Sequence, residues 1–308
     1  MNAVKPLVIH PDGVSHGPYA IGGGDPVRLA QRRTAECSEA AERKAAETPR
    51  LMYLPGFDIG AMPNHLNRSS IIAPIARGRR KFHRQTVMIS RSDCVLEYTG
   101  EQLDEADGEI IMALIFFARP HPMGAPVPLN RAELLRKIKR STGRNDYRWL
   151  HGRIKAMTEA TLFLEAQKSD GSTRYSIGRT VAFRIIAGFT YDNQTESYSY
   201  NMDPRWVQMF SNKEYSLLDW DKRMQIGRGH DMAKTLQRLL ATSSDLVQRY
   251  ALDWLKLKME YASPVRKFRE ALTAACNELE RLEIVTTWRL EVSTKGKPQL
   301  ALWIPPSG

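Results

Sequence analysis

The feature that most constrains the fold is an order of elements that occurs twice along the sequence. In the first copy, apolar spacing predicts helices at residues 107–119, 130–140 and 144–157, the last of them amphipathic and basic. Alternating apolar residues around a turn at 169–172 then predict a strand hairpin. Further strands of this copy are predicted at residues 181–189 and 198–202.

The second copy follows the same order. Residues 232–241 and 246–259 are predicted as helices, and Pro264 favours the start of a third, in which apolar residues recur at intervals of three and four. Two strands with alternating apolar residues, joined by a turn at 294–297, are predicted after this helix. Two helices, an amphipathic helix and a hairpin are typical of a helix-turn-helix with a β-hairpin wing. The sequence therefore predicts an α+β fold of tandem winged-helix domains.

The sequence also predicts where these domains begin and end. Gly22-Gly23-Gly24 interrupts any regular element, and residues 30–50 contain no Val, Ile, Leu, Met or aromatic side chain, so residues 1–50 are predicted to form a flexible tail. The rest of the chain has the length of about two domains. We place them at residues 51–212 and 213–308.

Cysteine content and hydropathy exclude several classes of protein. The three cysteines, Cys37, Cys94 and Cys276, are too few and too scattered for a disulfide framework or a closed zinc site, and they indicate a reducing, cytoplasmic compartment. No apolar run approaches the roughly 18 residues of a membrane span. The first residues lack the pattern of a secretory signal, and no membrane partner is expected.

Positive charge is concentrated around the third helix of the first copy. The chain has 45 Lys and Arg against 34 Asp and Glu, a net charge of +11, which favours nucleic acid as a partner. Between residues 128 and 160 there are nine Lys and Arg and three acidic residues, a local excess of six. Gly152 leaves out a side chain where another backbone must come close. The residues expected to contact DNA here are Arg144, Asn145, Arg148, Gly152 and Lys155.

The helix that begins at Pro264 is less basic but chemically more varied. Arg, Glu, Thr and Asn side chains together recognise features of guanine, cytosine and the thymine methyl group. The residues expected to contact DNA in this copy are Arg266, Lys267, Glu270, Thr273 and Asn277 on the helix, with Lys295 and Lys297 on the wing. Lys168–Arg174 forms the matching wing tip of the first copy. For both helices the alternative is an ordinary solvated polar face.

No pattern of catalytic or metal-binding residues stands out. The histidines show no spacing typical of metal ligands, and Cys276 lies beside an apolar stripe, where packing is its expected role. Tyr198 and Tyr200 alternate on a strand and are expected in the core. Acidic residues cluster at Asp104, Glu105, Asp107 and Glu109, the opening turn of a helix, where the macrodipole favours them. We therefore expect a binding protein without a cofactor or metal, and not an enzyme.

A set of motifs, in order, resembles the TrfA-type plasmid replication initiators of bacteria. The resemblance extends from about residue 54 to residue 303. The matching segments are Leu54-Pro55, Met62-Pro63-Asn64-His65-Leu66-Asn67-Arg68-Ser69, Tyr98-Thr99-Gly100-Glu101-Gln102-Leu103 with Asp107, Ala118-Arg119 with Pro122-Met123-Gly124, Tyr147-Arg148 and Leu150 with Ala160-Thr161-Leu162, Leu218-Asp219-Trp220, and Phe268-Arg269 through Trp288-Arg289.

This resemblance implies a role and partners. It implies a tandem winged-helix initiator that binds direct repeats (iterons) in double-stranded plasmid origin DNA, opens the adjacent AT-rich duplex and recruits the host initiator, replicative helicase and sliding clamp. Single-stranded origin DNA is a further expected partner. A monomer–dimer equilibrium that takes part in copy control is also expected. The base-reading helices would correspond to Arg144–Met157 and Pro264–Arg281. Ile71-Ile72 stands where family members can carry the Leu-Phe pair suited to a clamp pocket.

From the residues alone, the first alternative function is a winged-helix transcriptional repressor without initiator activity, and a protein-interaction adaptor and a nicking relaxase are further alternatives. A repressor would share the two DNA-binding helices but would not support plasmid maintenance.

Overall fold

A computed structural model describes most of the chain after residue 51. The described residues are 52–75, 80–91, 94–167, 172–178, 183–192, 197–210 and 214–306. The predicted tail at residues 1–50 lies outside them.

The described residues combine short helices with antiparallel strands. The helices are α1 (Asn64–Arg68), α2 (Glu105–Ala118), α3 (Arg131–Lys137), α4 (Arg144–Glu159), α5 (Trp206–Phe210), α6 (Trp220–Arg223), α7 (Asp231–Leu240), α8 (Leu252–Lys258) and α9 (Val265–Arg281). The strands are β1 (Ala61–Pro63), β2 (Phe82–Val87), β3 (Cys94–Glu101), β4 (Val127–Pro128), β5 (Thr161–Gln167), β6 (Thr173–Ile177), β7 (Gly188–Asp192), β8 (Ser197–Asn201), β9 (Tyr215–Leu217), β10 (Val247–Ala251), β11 (Thr287–Val292) and β12 (Pro298–Trp303). The expected α+β composition is confirmed.

The strands form four separate sheets. The largest has the order β2-β3-β5-β6, and the others are β4-β8-β7, β10-β12-β11 and the pair β1-β9. Strand β3 lies between β2 and β5, with Tyr98 opposite Leu162. No helix among these residues is long and apolar enough to cross a membrane.

Two hydrophobic cores hold these elements together. The first contains buried side chains from Leu54 to Leu218 and surrounds α2, whose residues 110–115 are all buried. The second contains buried side chains from Ile226 to Leu302 and lies among α7, α8, α9 and the sheet of β10, β11 and β12. We call these parts the first half and the second half. Domain boundaries at residues 50 and 212 stay predictions.

Two predicted elements are wrong in detail. The helix predicted at residues 246–259 is a strand, β10, followed by the shorter helix α8. Backbone pairing of β10 with β12, from Val247 opposite Trp303 to Ala251 opposite Gln299, replaces the helical hydrogen bonds of this segment.

The strand predicted at residues 181–189 begins only at Gly188. Ile185 and Ile186 are consecutive and both buried, which an alternating strand does not allow, so the chain bends there. The Ile185 carbonyl accepts a hydrogen bond from the Trp206 indole instead.

Candidate nucleic-acid interface

Helix α4 is held by its apolar side against the first core. Leu150, Ile154 and Met157 are fully buried, as their helical spacing predicts. The preceding helix α3 is capped by Asn130, whose side chain accepts from the Glu133 backbone N–H at 3.1 Å. The chain then turns at Lys139, which has a φ of 50°. This turn places α4 directly after α3, so that the opposite side of α4 faces solvent.

The five residues predicted to contact DNA on α4 are all exposed. They are Arg144, Asn145, Arg148, Gly152 and Lys155. A Cβ added at Gly152 would have no atom of the described residues within 4 Å. Packing within the described part of the protein therefore does not require a glycine at residue 152. Lys155 also forms an exposed pair with Glu159 at 4.0 Å.

Aromatic rings hold two further arginines beside this helix. The Arg140 guanidinium lies 3.5 Å from the centre of the Trp149 ring. Arg131 lies 3.9 Å from the ring centre of Tyr198 and donates to its hydroxyl oxygen at 3.0 Å. Both contacts restrict long cationic side chains that would otherwise be mobile.

Arg153 corrects the charge count of this segment. Its guanidinium is buried and donates to the Asp107 carboxylate through Nε at 2.7 Å and through Nη2 at 2.9 Å. It also pairs with Glu101. The local excess of six positive charges includes Arg153, but the charge of Arg153 is compensated by carboxylates of the first half that lie outside residues 128–160.

Helix α9 repeats the arrangement in the second half. Its buried side carries Phe268, Leu272, Ala275, Cys276 and Leu279. On the opposite side Arg266, Lys267, Glu270 and Asn277 are exposed and Thr273 is half-buried.

The exposed side of α9 is partly compensated in charge. The Glu270 carboxylate lies 3.4 Å from the Arg266 guanidinium and 3.2 Å from the Lys267 ammonium. A base that used Glu270 as an acceptor would compete with these two cations.

The hairpin of β11 and β12 presents two exposed lysines. Lys295 and Lys297 lie at its tip, where Ser293 N–H donates to the Lys297 carbonyl at 2.8 Å. Gly296 has a φ of 70°, a left-handed conformation that favours glycine in this tight turn. Residues 168–171 of the corresponding tip in the first half lie outside the described residues.

The acidic cluster on α2 is more than a helix start. Asp104 does cap the helix, in a reciprocal pair of hydrogen bonds with Asp107. Glu105, Asp107 and Glu109, however, are buried and paired with cations from distant parts of the chain. Sequence reasoning attributed them to the macrodipole and missed these partners. The available signal was that the next residues of α2 are almost uniformly apolar, so the helix has little polar surface on which to expose a carboxylate.

Glu105 is ionised in this environment. Burial favours the neutral acid, but Arg238 and Arg223 together with hydrogen bonds from Arg238 and Thr235 outweigh it and lower the pKa of Glu105 to about 2. The ionised form of Glu105 is therefore favoured in a buried cluster in which Arg223 and Arg238 compensate its charge.

Other predicted residues occupy the core. Cys276 is buried, and burial raises the pKa of its thiol to about 12. Tyr198 and Tyr200 are buried, as predicted. Ile71 and Ile72 are also buried, which leaves neither side chain exposed for a clamp pocket. Within the described ranges no three His, Cys, Asp or Glu side chains are grouped so as to hold a metal ion.

Three solved structures of low sequence identity are similar to this chain, and the first of them shares its fold. The crystal structure of domains 2 and 3 of RctB, as a selenomethionine derivative, has a TM-score of 0.50 at 13% identity and covers 75% of this chain and 94% of that chain. A second structure of RctB domains 2–3 has a TM-score of 0.49 at 14% identity over 78% and 96% of the two chains. The Pi initiator protein in complex with iteron DNA has a TM-score of 0.46 at 12% identity over 65% and 92%.

The arrangement defines an α+β protein that presents two polar helices, each backed by its own core. The sequence matches one protein family, described as "TrfA protein", over residues 52–291. The chain belongs to the TrfA family, and the resemblance to its plasmid replication initiators is confirmed. No curated protein matches the sequence significantly.

Proposed function

We propose that this protein initiates plasmid replication by binding direct repeats (iterons) in double-stranded origin DNA. Membership of the TrfA family over residues 52–291 carries this proposal. The exposed polar sides of α4 and α9 support it, because each is backed by a buried apolar stripe and so is presented to solvent in a fixed position. The protein acts by binding and has no catalytic step of its own.

In this proposal each half acts as a winged-helix domain. Helix α4 and helix α9 enter successive major grooves, about one helical turn apart, on one side of the duplex. A monomer then covers a site of roughly 20 base pairs without two-fold symmetry. The lysines at the tip of the β11–β12 hairpin contact the sugar-phosphate backbone, which positions the protein without reading sequence.

Binding to the repeats is the first property to test. Fluorescence anisotropy on duplexes with the direct repeats that flank the gene should show tight binding, and a scrambled duplex should bind more weakly. If 6–10 phosphates are neutralised, affinity should fall about 10³–10⁵-fold between 50 and 200 mM salt. Equal affinity for repeat and scrambled duplexes would contradict the proposal.

Two arginine variants assign the roles of the helices. Arg266→Ala should lose discrimination between repeat and scrambled duplexes, whereas Arg148→Ala should weaken binding to both. Arg184→Ala, an exposed arginine on neither helix, is the matched control. An equal loss on both duplexes for Arg266→Ala would remove its proposed reading role.

Later steps of initiation belong to the same proposal. Bound molecules open the AT-rich duplex, and the basic surface holds the released single strand. Recruitment of the host initiator, helicase and sliding clamp then follows, and a monomer–dimer equilibrium sets how much protein is active. Permanganate footprinting of a supercoiled origin should reveal unpaired thymines. Their absence with host factors present would argue against opening.

A further inference from the structure

The acidic residues of α2 point in two directions. Residues four apart lie on one side of a helix, whereas residues two apart lie about 200° apart around it. Accordingly, Glu105 pairs with Arg238 and Glu109 pairs with Lys234, and both cations belong to the second half. Asp107, between them, pairs with Arg153 of α4. One helix of the first core therefore contacts both the first polar helix and the second half.

The Glu105 carboxylate makes several hydrogen bonds where the first half meets the second half. Its carboxylate accepts from Arg223 at 2.8 Å, from Arg238 at 3.0 Å and 2.6 Å, and from the Thr235 hydroxyl at 2.6 Å. All four side chains are fully buried. Arg238 also donates to the Ile72 carbonyl at 2.9 Å, which anchors it a second time in the first half.

These contacts extend to α9 through α7. Thr235 and Arg238 belong to α7, and so does Lys234, which lies 2.6 Å from Glu109. On its other side α7 contributes Leu236 to the core that α9 shares. The position of α9 relative to α2 therefore depends on the ion pairs of α7.

The same helix fixes α4. Arg153 donates two hydrogen bonds to the Asp107 carboxylate, in the fork geometry that restricts rotation as well as distance. Arg80 holds the same carboxylate at 2.7 Å. Directional contacts of this kind define an angle between elements, which apolar packing alone does less sharply.

We propose that Glu105 is a positioning residue that fixes α9 relative to α4 and thereby sets the interval between the two DNA segments that one molecule reads. The geometric part of this proposal stands on the contacts above. Its consequence for DNA rests on the proposed function. The two parts are tested separately.

The first experiment measures the geometry without DNA. Nitroxide labels are placed on α4 and α9 by Arg148→Cys and Asn277→Cys in the full chain, with Cys37→Ser. Cys94 and Cys276 are buried. Electron–electron resonance should give one narrow distance distribution for this background and a broader or shifted one after Glu105→Gln. Asp203→Asn removes the carboxylate that holds Arg205 within the first half and should leave the distribution unchanged.

A milder variant covers the case in which Glu105→Gln does not fold. Glu109→Gln loses the pair with Lys234, whose side chain is 16% exposed, and the longer pair with Arg223 at 3.4 Å, but it leaves the Arg238 contacts of Glu105 in place, so it should broaden the same distribution to a smaller degree. Thermal denaturation confirms that each labelled protein is folded. An unchanged narrow distribution in folded Glu105→Gln overturns the proposal, and so does an unchanged distribution in Glu109→Gln where Glu105→Gln does not fold.

The second experiment measures the interval on DNA. Two base pairs inserted between the segments contacted by α4 and α9 rotate one segment by about 70° relative to the other. Affinity of the wild-type protein should fall about tenfold or more, and that of Glu105→Gln about threefold or less. An equal penalty for both proteins overturns the inference. Absence of any repeat-specific binding by the wild type contradicts the proposed function instead, and the distance measurement still tests the positioning role.

Discussion

Replacing Gly152 by alanine should change two properties in opposite directions: the stability of the folded protein and its affinity for DNA. Gly152 lies in the interior of this helix, and an added Cβ would meet open space among the described residues. Alanine is favoured over glycine in a helix interior by about 1 kcal/mol, so the folded state should gain roughly that amount. For a folded part of this size, the gain corresponds to a rise in melting temperature of about 2–4 °C.

Binding to DNA should weaken in the same variant. Gly152 lies on the side of α4 that also exposes Arg148 and Lys155. A methyl group there would stand between the helix backbone and an approaching DNA strand, and a loss of about 1.4 kcal/mol corresponds to tenfold in affinity. We expect a weakening of this order on repeat duplexes.

The assay combines thermal denaturation with anisotropy on the repeat duplex. Gly56→Ala, another glycine whose added Cβ meets nothing described within 4 Å, serves as a control that should leave affinity unchanged. If Gly152→Ala raises the melting temperature while affinity stays equal or increases, DNA does not approach α4 at this residue. The proposed docking side of the first half would then be wrong.

Three further predictions concern buried groups. Arg153→Met should destabilise the fold by about 3 kcal/mol, because it removes a partner of the buried Asp107 carboxylate. The salt dependence of DNA affinity should not change, and a smaller slope of log affinity against log salt concentration would place Arg153 at the DNA. Burial lowers the pKa of Lys258, which donates to the Ser69 carbonyl at 2.7 Å. Because the unfolded lysine keeps its proton to a higher pH than the folded one, the contribution of Lys258 to stability should rise with pH until the unfolded side chain titrates, and urea unfolding should show a smaller rise for Lys258→Met than for the wild type. Burial raises the pKa of Cys276 to about 12, so thiol reagents should modify it at pH 8 only after unfolding. Rapid modification of Cys276 in a native Cys37→Ser protein, located by peptide mapping, would contradict its packing role.

Elements fixed by local spacing were predictable from the sequence. The stripe of Leu150, Ile154 and Met157 is a helical pattern that any partner surface would satisfy, and it locates the buried side of α4. The hairpin of β11 and β12 is likewise predicted by its turn residues and by the alternating apolar residues of its two strands.

Elements that depend on distant partners were not predictable. Gln248 lies in a segment predicted as helix, but this segment is a strand in which Gln248 pairs with Leu302 of β12. The side-chain amide of Gln248 donates to the carbonyls of Leu240 and Ser243. Glu105 and Arg238 are 133 positions apart. No spacing rule joins residues at such separations, because their contact is a property of the packed cores.

For the candidate interface, the sequence predicted which side chains face solvent but overcounted the charge available there. Helical periodicity places Arg148 and Arg153 on different sides of α4, yet a long arginine is compatible with either a buried or an exposed position. Only the buried Asp107 on another helix decides the case for Arg153. This partner could not be assigned from local sequence.

The exposed charges suggest a division of roles between the two halves. Around α4, exposed cations outnumber exposed acids, and the residues Arg136, Lys137, Lys139, Arg144 and Arg148 contribute to this excess. On α9, Glu270 lies against both Arg266 and Lys267 and offsets part of their charge. Because counterion release scales with the number of phosphates neutralised, we expect the first half to supply most of the affinity and its salt dependence. The second half, with acidic, amide and cationic groups side by side, is better suited to distinguish bases, so a monomer would hold any duplex through α4 and select among duplexes through α9.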